Sequence, residues 1–119
     1  MEDDADIRTI AQISLAEIGG FTVQLCASGF EALQVVETFL PDLILLDMMM
    51  PRLDGIETLK KLRELPLAEN IPVIFLTARV QEQELSMYNN QHILGIIKKP
   101  FDPITLPQTI RDYWAKYHG

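Results

Sequence analysis

The sequence predicts a single α/β domain built on a parallel sheet, and three observations predict it. Short unbroken apolar runs occur at Leu43-Ile44-Leu45-Leu46, Val73-Ile74-Phe75-Leu76 and Gly95-Ile96-Ile97. They are too short for helices and suit strands buried on both faces. Segments with apolar residues at three- and four-residue spacing separate them, and strands alternating with helices pair in parallel through right-handed crossovers. The linkers are short, and 119 residues fit one domain spanning residues 1–119, with no repeat and no low-complexity stretch.

The elements follow in order. Ile7, Ile10, Ala11, Leu15 and Ile18 fall on one face of a helix that Gly19-Gly20 ends. Phe21-Thr22-Val23-Gln24-Leu25-Cys26 alternates apolar and polar, which predicts a strand with one covered face. Ser28-Gly29-Phe30-Glu31 is a capping box, so a second helix starts there. Its stripe is Leu33, Val36 and Leu40, and Pro41 stops it. After the Leu43–Leu46 strand, Asp54 is a cap for a third helix, with Ile56, Leu59 and Leu62 inward and Lys60, Lys61 and Arg63 outward. Met48 and Met50 are expected in the core. A loop over 66–72 leads to the Val73–Leu76 strand. Gln81 to Gln91 reads as a weak helix anchored by Leu85 and Tyr88. The Gly95–Ile97 strand precedes Asp102-Pro103, an N-cap followed by proline at the first helical position. Leu106, Ile110, Tyr113, Trp114 and Tyr117 give the last helix its stripe, with Pro107 a candidate kink.

Composition narrows the function. Apolar residues make up 48% and charged residues 23%, as in soluble globular domains. No apolar run approaches the ~18 residues of a membrane span, and Met1-Glu2-Asp3-Asp4 has the wrong charge for a signal peptide. A net charge of -7 argues against a nucleic-acid partner. The single cysteine, Cys26, forms no internal disulfide, which suits a reducing, cytoplasmic setting. His92 and His118 have no spaced partners, so no zinc site is expected.

Ligands of open parallel sheets bind beyond the C-terminal ends of the strands. Asp47 follows one predicted strand and Thr77 the next, and Lys99 follows the third by two residues. Glu2, Asp3 and Asp4 stand just before the first helix, where a preceding strand would end. Clustered carboxylates repel and raise one another's pKa, and a hard divalent cation such as magnesium relieves that. Magnesium prefers one or two carboxylates plus water and phosphate oxygens, a set suited to phosphoryl transfer. Asp47 is then a candidate nucleophile toward phosphorus, Lys99 and the metal neutralise charge, and Thr77 donates to a phosphoryl oxygen. Taken singly, each residue has a plainer reading: Asp47 a turn cap, the acidic triplet a solvated helix start, Thr77 a strand-end hydroxyl, Lys99 a surface lysine. Their conjunction at successive strand ends favours the shared site.

These pieces, in this order, resemble the receiver domains of two-component response regulators. The matching segments are Glu2-Asp3-Asp4-Ala5-Asp6-Ile7-Arg8, Pro41 through Pro51 with Asp54-Gly55, Leu76-Thr77-Ala78 and Lys99-Pro100-Phe101. The resemblance covers the whole chain. It implies a flavodoxin-like three-layer sandwich with a five-stranded parallel sheet ordered 2-1-3-4-5. It implies Asp47 as phospho-acceptor, with Mg2+ held by Asp3 directly, Glu2 through water, Asp47, and the carbonyl of Met49. Thr77 would move toward the phosphoryl group, Lys99 would pair with it, and Pro100 would follow a cis peptide bond. The donor would be a phosphohistidine on a sensor histidine kinase or a histidine phosphotransfer protein. Phosphorylation would shift a two-state equilibrium and alter an output face made of the fourth helix, last strand and last helix. A homodimer through the last strand and its flanking helices is a further expectation, while neither nucleic acid nor membrane is an expected partner.

Departures from the family pattern matter. Ile96 stands three residues before Lys99, where the family often carries a switching Tyr or Phe. Met49 and Arg79 lie two residues after Asp47 and Thr77, at positions that influence acyl-phosphate hydrolysis in the family. Methionine cannot orient a water by hydrogen bonding, so slow loss of the phosphoryl group is expected. The family also has an apolar strand of about five residues before the acidic pair, whereas here Met1 stands at that strand's last position. The first strand is therefore expected to be absent, by real truncation or by a misassigned start, the latter being preferred.

Three functions compete. A phosphorylatable signalling module, cycling only its own phosphoryl group, fits Asp47, Thr77, Lys99 and the acidic pair. An interaction module that dispenses with phosphorylation draws on Ile96. A phosphatase with an aspartyl intermediate lacks the second aspartate two residues after Asp47 and any Gly-rich phosphate loop.

Overall fold

The computed structural model describes residue 2 and residues 4–47, 55–77 and 92–118. The expected roles of Asp3, Met48, Met49, Met50, Asp54 and Arg79, and the helix expected over 81–91, lie outside the described residues.

Helix α1 spans Ala5–Gln12 and is capped by Asp4, whose carboxylate accepts from the amides of Asp6 (2.9 Å) and Ile7 (3.1 Å). It runs on into a wider π-helical turn over Ile13–Ile18, marked by the Gly19 amide donating five residues back to the Ser14 carbonyl at 2.9 Å. Such a turn breaks the 3.6-residue period on which the predicted stripe is counted. Within that turn Leu15 is buried and Ile18 is exposed; Ile10, in the α-helix before it, is exposed as well. Gly20 then takes φ +73°, a conformation that favours glycine.

The segment 21–26 is extended but joins no ladder, contrary to the strand expected there. A strand is made by its neighbour. Here a cavity of about 910 Å³ separates the segment from the next extended element, Ile44–Asp47. Among the described residues no strand precedes α1, and only Glu2 reaches this place, donating its amide to the Cys26 carbonyl at 3.0 Å.

Helix α2 spans Gly29–Phe39 with the predicted cap: Ser28 Oγ accepts from the Glu31 amide at 3.2 Å, and Glu31 Oε2 accepts from the Ala27 amide at 3.1 Å. Leu40 is not part of the buried stripe. It is the C-cap, left-handed at φ 51° and exposed.

Strand β1 is Ile44–Asp47, α3 is Gly55–Glu64, β2 is Val73–Thr77, β3 is Ile93–Lys98 and α4 is Leu106–His118. The three strands are parallel in the order β1-β2-β3. Central β2 is buried throughout, as its unbroken apolar run requires. Val73 and Phe75 pack with Leu46 and Leu59 on one face. Ile74 and Leu76 pack with Leu15, Ile97, Leu106 and Ile110 on the other. No described helix is long and apolar enough to cross a membrane.

Helix α4 starts after a turn over 103–105, in which Asp102 Oδ1 accepts from the Ile104 amide at 2.8 Å. Pro107 sits in the first helical turn, where an amide has no intrahelical acceptor, so it removes no helical bond there. Several contacts hold α4 down. Ser14 Oγ donates to the Pro103 carbonyl, Arg111 donates to the Gly19 carbonyl, and its guanidinium lies 4.6 Å from the centre of the Phe21 ring. Tyr113 Oη donates to the Ile96 carbonyl at 3.2 Å, and its ring occupies the space beside Gly95. A Cβ at Gly95 would sit 2.4 Å from Tyr113 Cε1. Gly95→Ala is therefore expected to cost about 1–3 kcal/mol by overpacking. Urea unfolding should show that loss in the single variant, and a smaller one when Tyr113→Ala is combined with it.

Candidate functional site

Asp47 ends β1 and Thr77 ends β2, so the parallel register brings both to one rim of the sheet: Asp47 stands beside Leu76, and Thr77 beside Lys98. Both are buried. Lys99 begins the following turn, where its amide donates to the Thr77 carbonyl at 2.7 Å. The Lys99–Pro100 peptide bond is cis, as the resemblance implies.

The Lys99 ammonium lies between two carboxylates. Nζ is 2.7 Å from Asp47 Oδ2 and 2.5 Å from Glu2 Oε2. Glu2 is only 5% exposed although it stands at the start of the chain. Three contacts hold it: its amide on Cys26, the Asp4 amide on its Oε1 at 3.3 Å, and Arg8 Nη1 on its main-chain carbonyl at 2.9 Å. Burial pushes the Glu2 carboxyl above its ordinary value; Lys99 opposes that and the nearby Asp47 charge adds to it. Burial alone would lower the Lys99 ammonium, but hydrogen bonds and charge from Asp47 and Glu2 outweigh it and hold the pKa above its ordinary value.

Of the residues predicted for the site, Glu2, Asp47 and Lys99 are in direct contact, and Thr77 adjoins them through the Lys99 main chain. Asp3 and Met49 fall outside the described residues. Sequence reading gave no role to Arg8, which fixes the Glu2 backbone; its place one turn after the Asp4 cap was the available signal. Among the described residues no group of three or more His, Cys, Asp or Glu side chains converges. Two carboxylates are nevertheless what magnesium asks of a protein when phosphate and water supply the rest. Glu2 Oε2 is buried and, within the described residues, receives an ion pair but no directed hydrogen bond. Two buried carboxylates drawn to one ammonium offer hard oxygens that fit a divalent cation.

Similarity to known proteins agrees with this geometry. A family profile described as the response regulator receiver domain matches residues 1–111. The response regulator Rre1 of Synechocystis sp. is 34% identical over 116 residues, 98% of this chain and 50% of Rre1. An uncharacterized 14.6 kDa protein from the sodA1 3' region of Leptolyngbya boryana is 33% identical over 113 residues, 95% of this chain and 86% of that one. The chain thus spans about half the length of some curated relatives and most of another. The chemotaxis protein CheY4 of Vibrio cholerae superposes with a TM-score of 0.86 at 28% identity, over 94% of this chain and 92% of that one.

Proposed function

The chain belongs to the response regulator receiver family, and from that premise we propose that Asp47 accepts a phosphoryl group and thereby switches a protein-interaction surface. The observation that carries this reading is the buried Lys99 ammonium shared by Asp47 and Glu2 at the C-terminal rim of the sheet.

The donor is a phosphohistidine on a sensor histidine kinase or a histidine phosphotransfer protein. An Asp47 carboxylate oxygen attacks phosphorus, the phosphorus–nitrogen bond breaks, and the imidazole leaves with a proton. Lys99 neutralises the negative charge that gathers on the transferred group, and the Thr77 hydroxyl donates to one of its oxygens. Glu2, Asp3, Asp47 and the Met49 carbonyl would hold Mg2+, which when bound supplies further charge neutralisation. The protein cycles only its own phosphoryl group. The face of β3 and α4, where Tyr117 is exposed, is the surface proposed to change and the one a homodimer would use.

Incubation with magnesium and acetyl phosphate tests the reading by intact mass. One added phosphoryl group is expected on the wild type and none on Asp47→Asn or after chelation of the metal. An unmodified wild type, or a modified Asp47→Asn, overturns it. An interaction module independent of phosphorylation is the second reading. Ile96 favours it, because no aromatic ring stands there to report Thr77 movement, and an unmodified wild type would select it.

A further inference from the structure

Arg8 lies one turn into α1, and its main chain is fastened to the helix start: its amide donates to the Asp4 carbonyl at 2.9 Å. That start is itself fixed, because the Asp4 carboxylate accepts from the amides of Asp6 and Ile7. The Arg8 side chain turns back over the cap, and its Nη1 donates to the Glu2 carbonyl at 2.9 Å, six positions earlier in the chain. The Glu2 amide meanwhile donates to the Cys26 carbonyl at 3.0 Å. Glu2 is therefore gripped on both sides of its Cα, which fixes the direction in which its side chain leaves the backbone. The carboxylate so aimed meets the Lys99 ammonium at 2.5 Å, where Asp47 meets it at 2.7 Å. The Arg8 bond is partly buried, so water competes for it less than at an open surface. A guanidinium suits the task, since it stays protonated and its planar fork loses little freedom on bonding.

We propose that Arg8 is a positioning residue for the acidic rim: by holding the main chain of Glu2, it sets the affinity of the Glu2–Asp47 pair for a divalent cation. This role rests on the rim being the phosphorylation site proposed above, and it adds a residue that tunes that site from α1 without touching a reacting atom. Groups that orient a metal ligand from outside are typically worth about 10–100-fold in affinity. The lower end applies, because Arg8 acts on the backbone of one ligand while Asp47 keeps its own place in β1.

Magnesium titration by calorimetry, with no phosphoryl donor present, compares wild type, Arg8→Met, Glu2→Gln and the double variant. Methionine keeps an apolar stem and removes the donor. Arg8→Met is expected to bind magnesium about tenfold more weakly. The double variant should bind no more weakly than Glu2→Gln alone, because one residue acts through the other. The tenfold gap should persist at high salt, where a mere effect of surface charge is screened. A metal-free readout accompanies it. The Asp4 amide, which donates to Glu2 Oε1 at 3.3 Å, should exchange hydrogen at least about threefold faster in Arg8→Met. The Ala32 amide at the start of α2 should be unaffected, which separates a local release from general loss of stability. A wild type that binds no magnesium, equal affinity in Arg8→Met, a full further loss in the double variant, a gap that closes with salt, or unchanged Asp4 exchange would each overturn the role of Arg8. A wild type that binds magnesium yet gains no phosphoryl group from acetyl phosphate overturns the proposed function alone.

Discussion

Replacing Lys99 with methionine is expected to lower stability by about 3 kcal/mol at neutral pH and low magnesium. The ammonium is the shared partner of two buried carboxylates, at 2.5 and 2.7 Å. Removing one member of a buried charge pair typically costs about 3–5 kcal/mol, because the remaining charge stays desolvated. The lower end applies here, since Glu2 precedes α1 and can swing into water, whereas Asp47 is fixed in β1. In a domain of this size the melting temperature should fall by roughly 10 °C. The pH dependence has a definite sign. The folded Lys99 pKa is raised above its ordinary 10.5, so the pairing stabilises fully below that value. Its contribution is lost as pH rises through the raised folded value. Wild type should therefore show an alkaline loss of stability that Lys99→Met lacks. Magnesium should stabilise Lys99→Met more than wild type, because a divalent cation relieves the same two carboxylates. Thermal melts with and without the metal, and urea curves at alkaline pH, check each part. An unchanged melting temperature in the metal-free variant would contradict the pairing.

Phe75→Ala should cost about 3–5 kcal/mol, the range for a fully buried aromatic in a core that cannot collapse onto the hole. Phe75 is 0% exposed and packs against Leu46, Leu59 and Val73, with Ile44, Ile93 and Ile96 around them. Set against a typical total of about 5–15 kcal/mol, that loss would unfold a visible fraction near 37 °C. Phe75 also stands opposite Leu46 on one side and Ile96 on the other, one rung before Asp47 and two residues before Thr77. A hole there loosens the spacing of Asp47 and Thr77, so the rate of modification by acetyl phosphate should fall along with stability. Urea unfolding should show a lower midpoint with an unchanged slope.

Much of this was legible in the sequence, for physical reasons that differ by element. The runs at 43–46, 73–76 and 95–97 announce strands, and β1, β2 and β3 form there, with β2 buried throughout, β1 half-buried at Ile44 and Leu45, β3 half-buried over most of its length, and Asp47 and Thr77 as closing residues of their strands. The Ser28–Glu31 box is local chemistry: its Ser28 half forms as written, and the Glu31 carboxylate accepts from the Ala27 amide, one residue ahead of the cap. The segment 21–26 was misread because alternation reports how many faces are covered, not whether a neighbouring strand is present. The stripe of the first helix was misread at Ile18 because a π-helical turn leaves no signature in an apolar period counted at 3.6. In the site, Glu2, Asp47, Thr77 and Lys99 were each visible as a residue type at a strand end. The sharing of one ammonium by two carboxylates was not, since it depends on how Cys26, Asp4 and Arg8 hold Glu2.

The contacts that fasten α4 have a kinetic consequence. Ser14 reaches Pro103 across 89 positions, and Arg111 reaches Gly19 across 92. Closing loops of that length slows folding, because their entropy is lost before the contacts form. During synthesis, the turn following α1 cannot find its packing partner until residue 111 has cleared the ribosome. Until then the nascent chain holds Leu15 and Phe21 without the α4 residues Leu106 and Ile110 that pack with them.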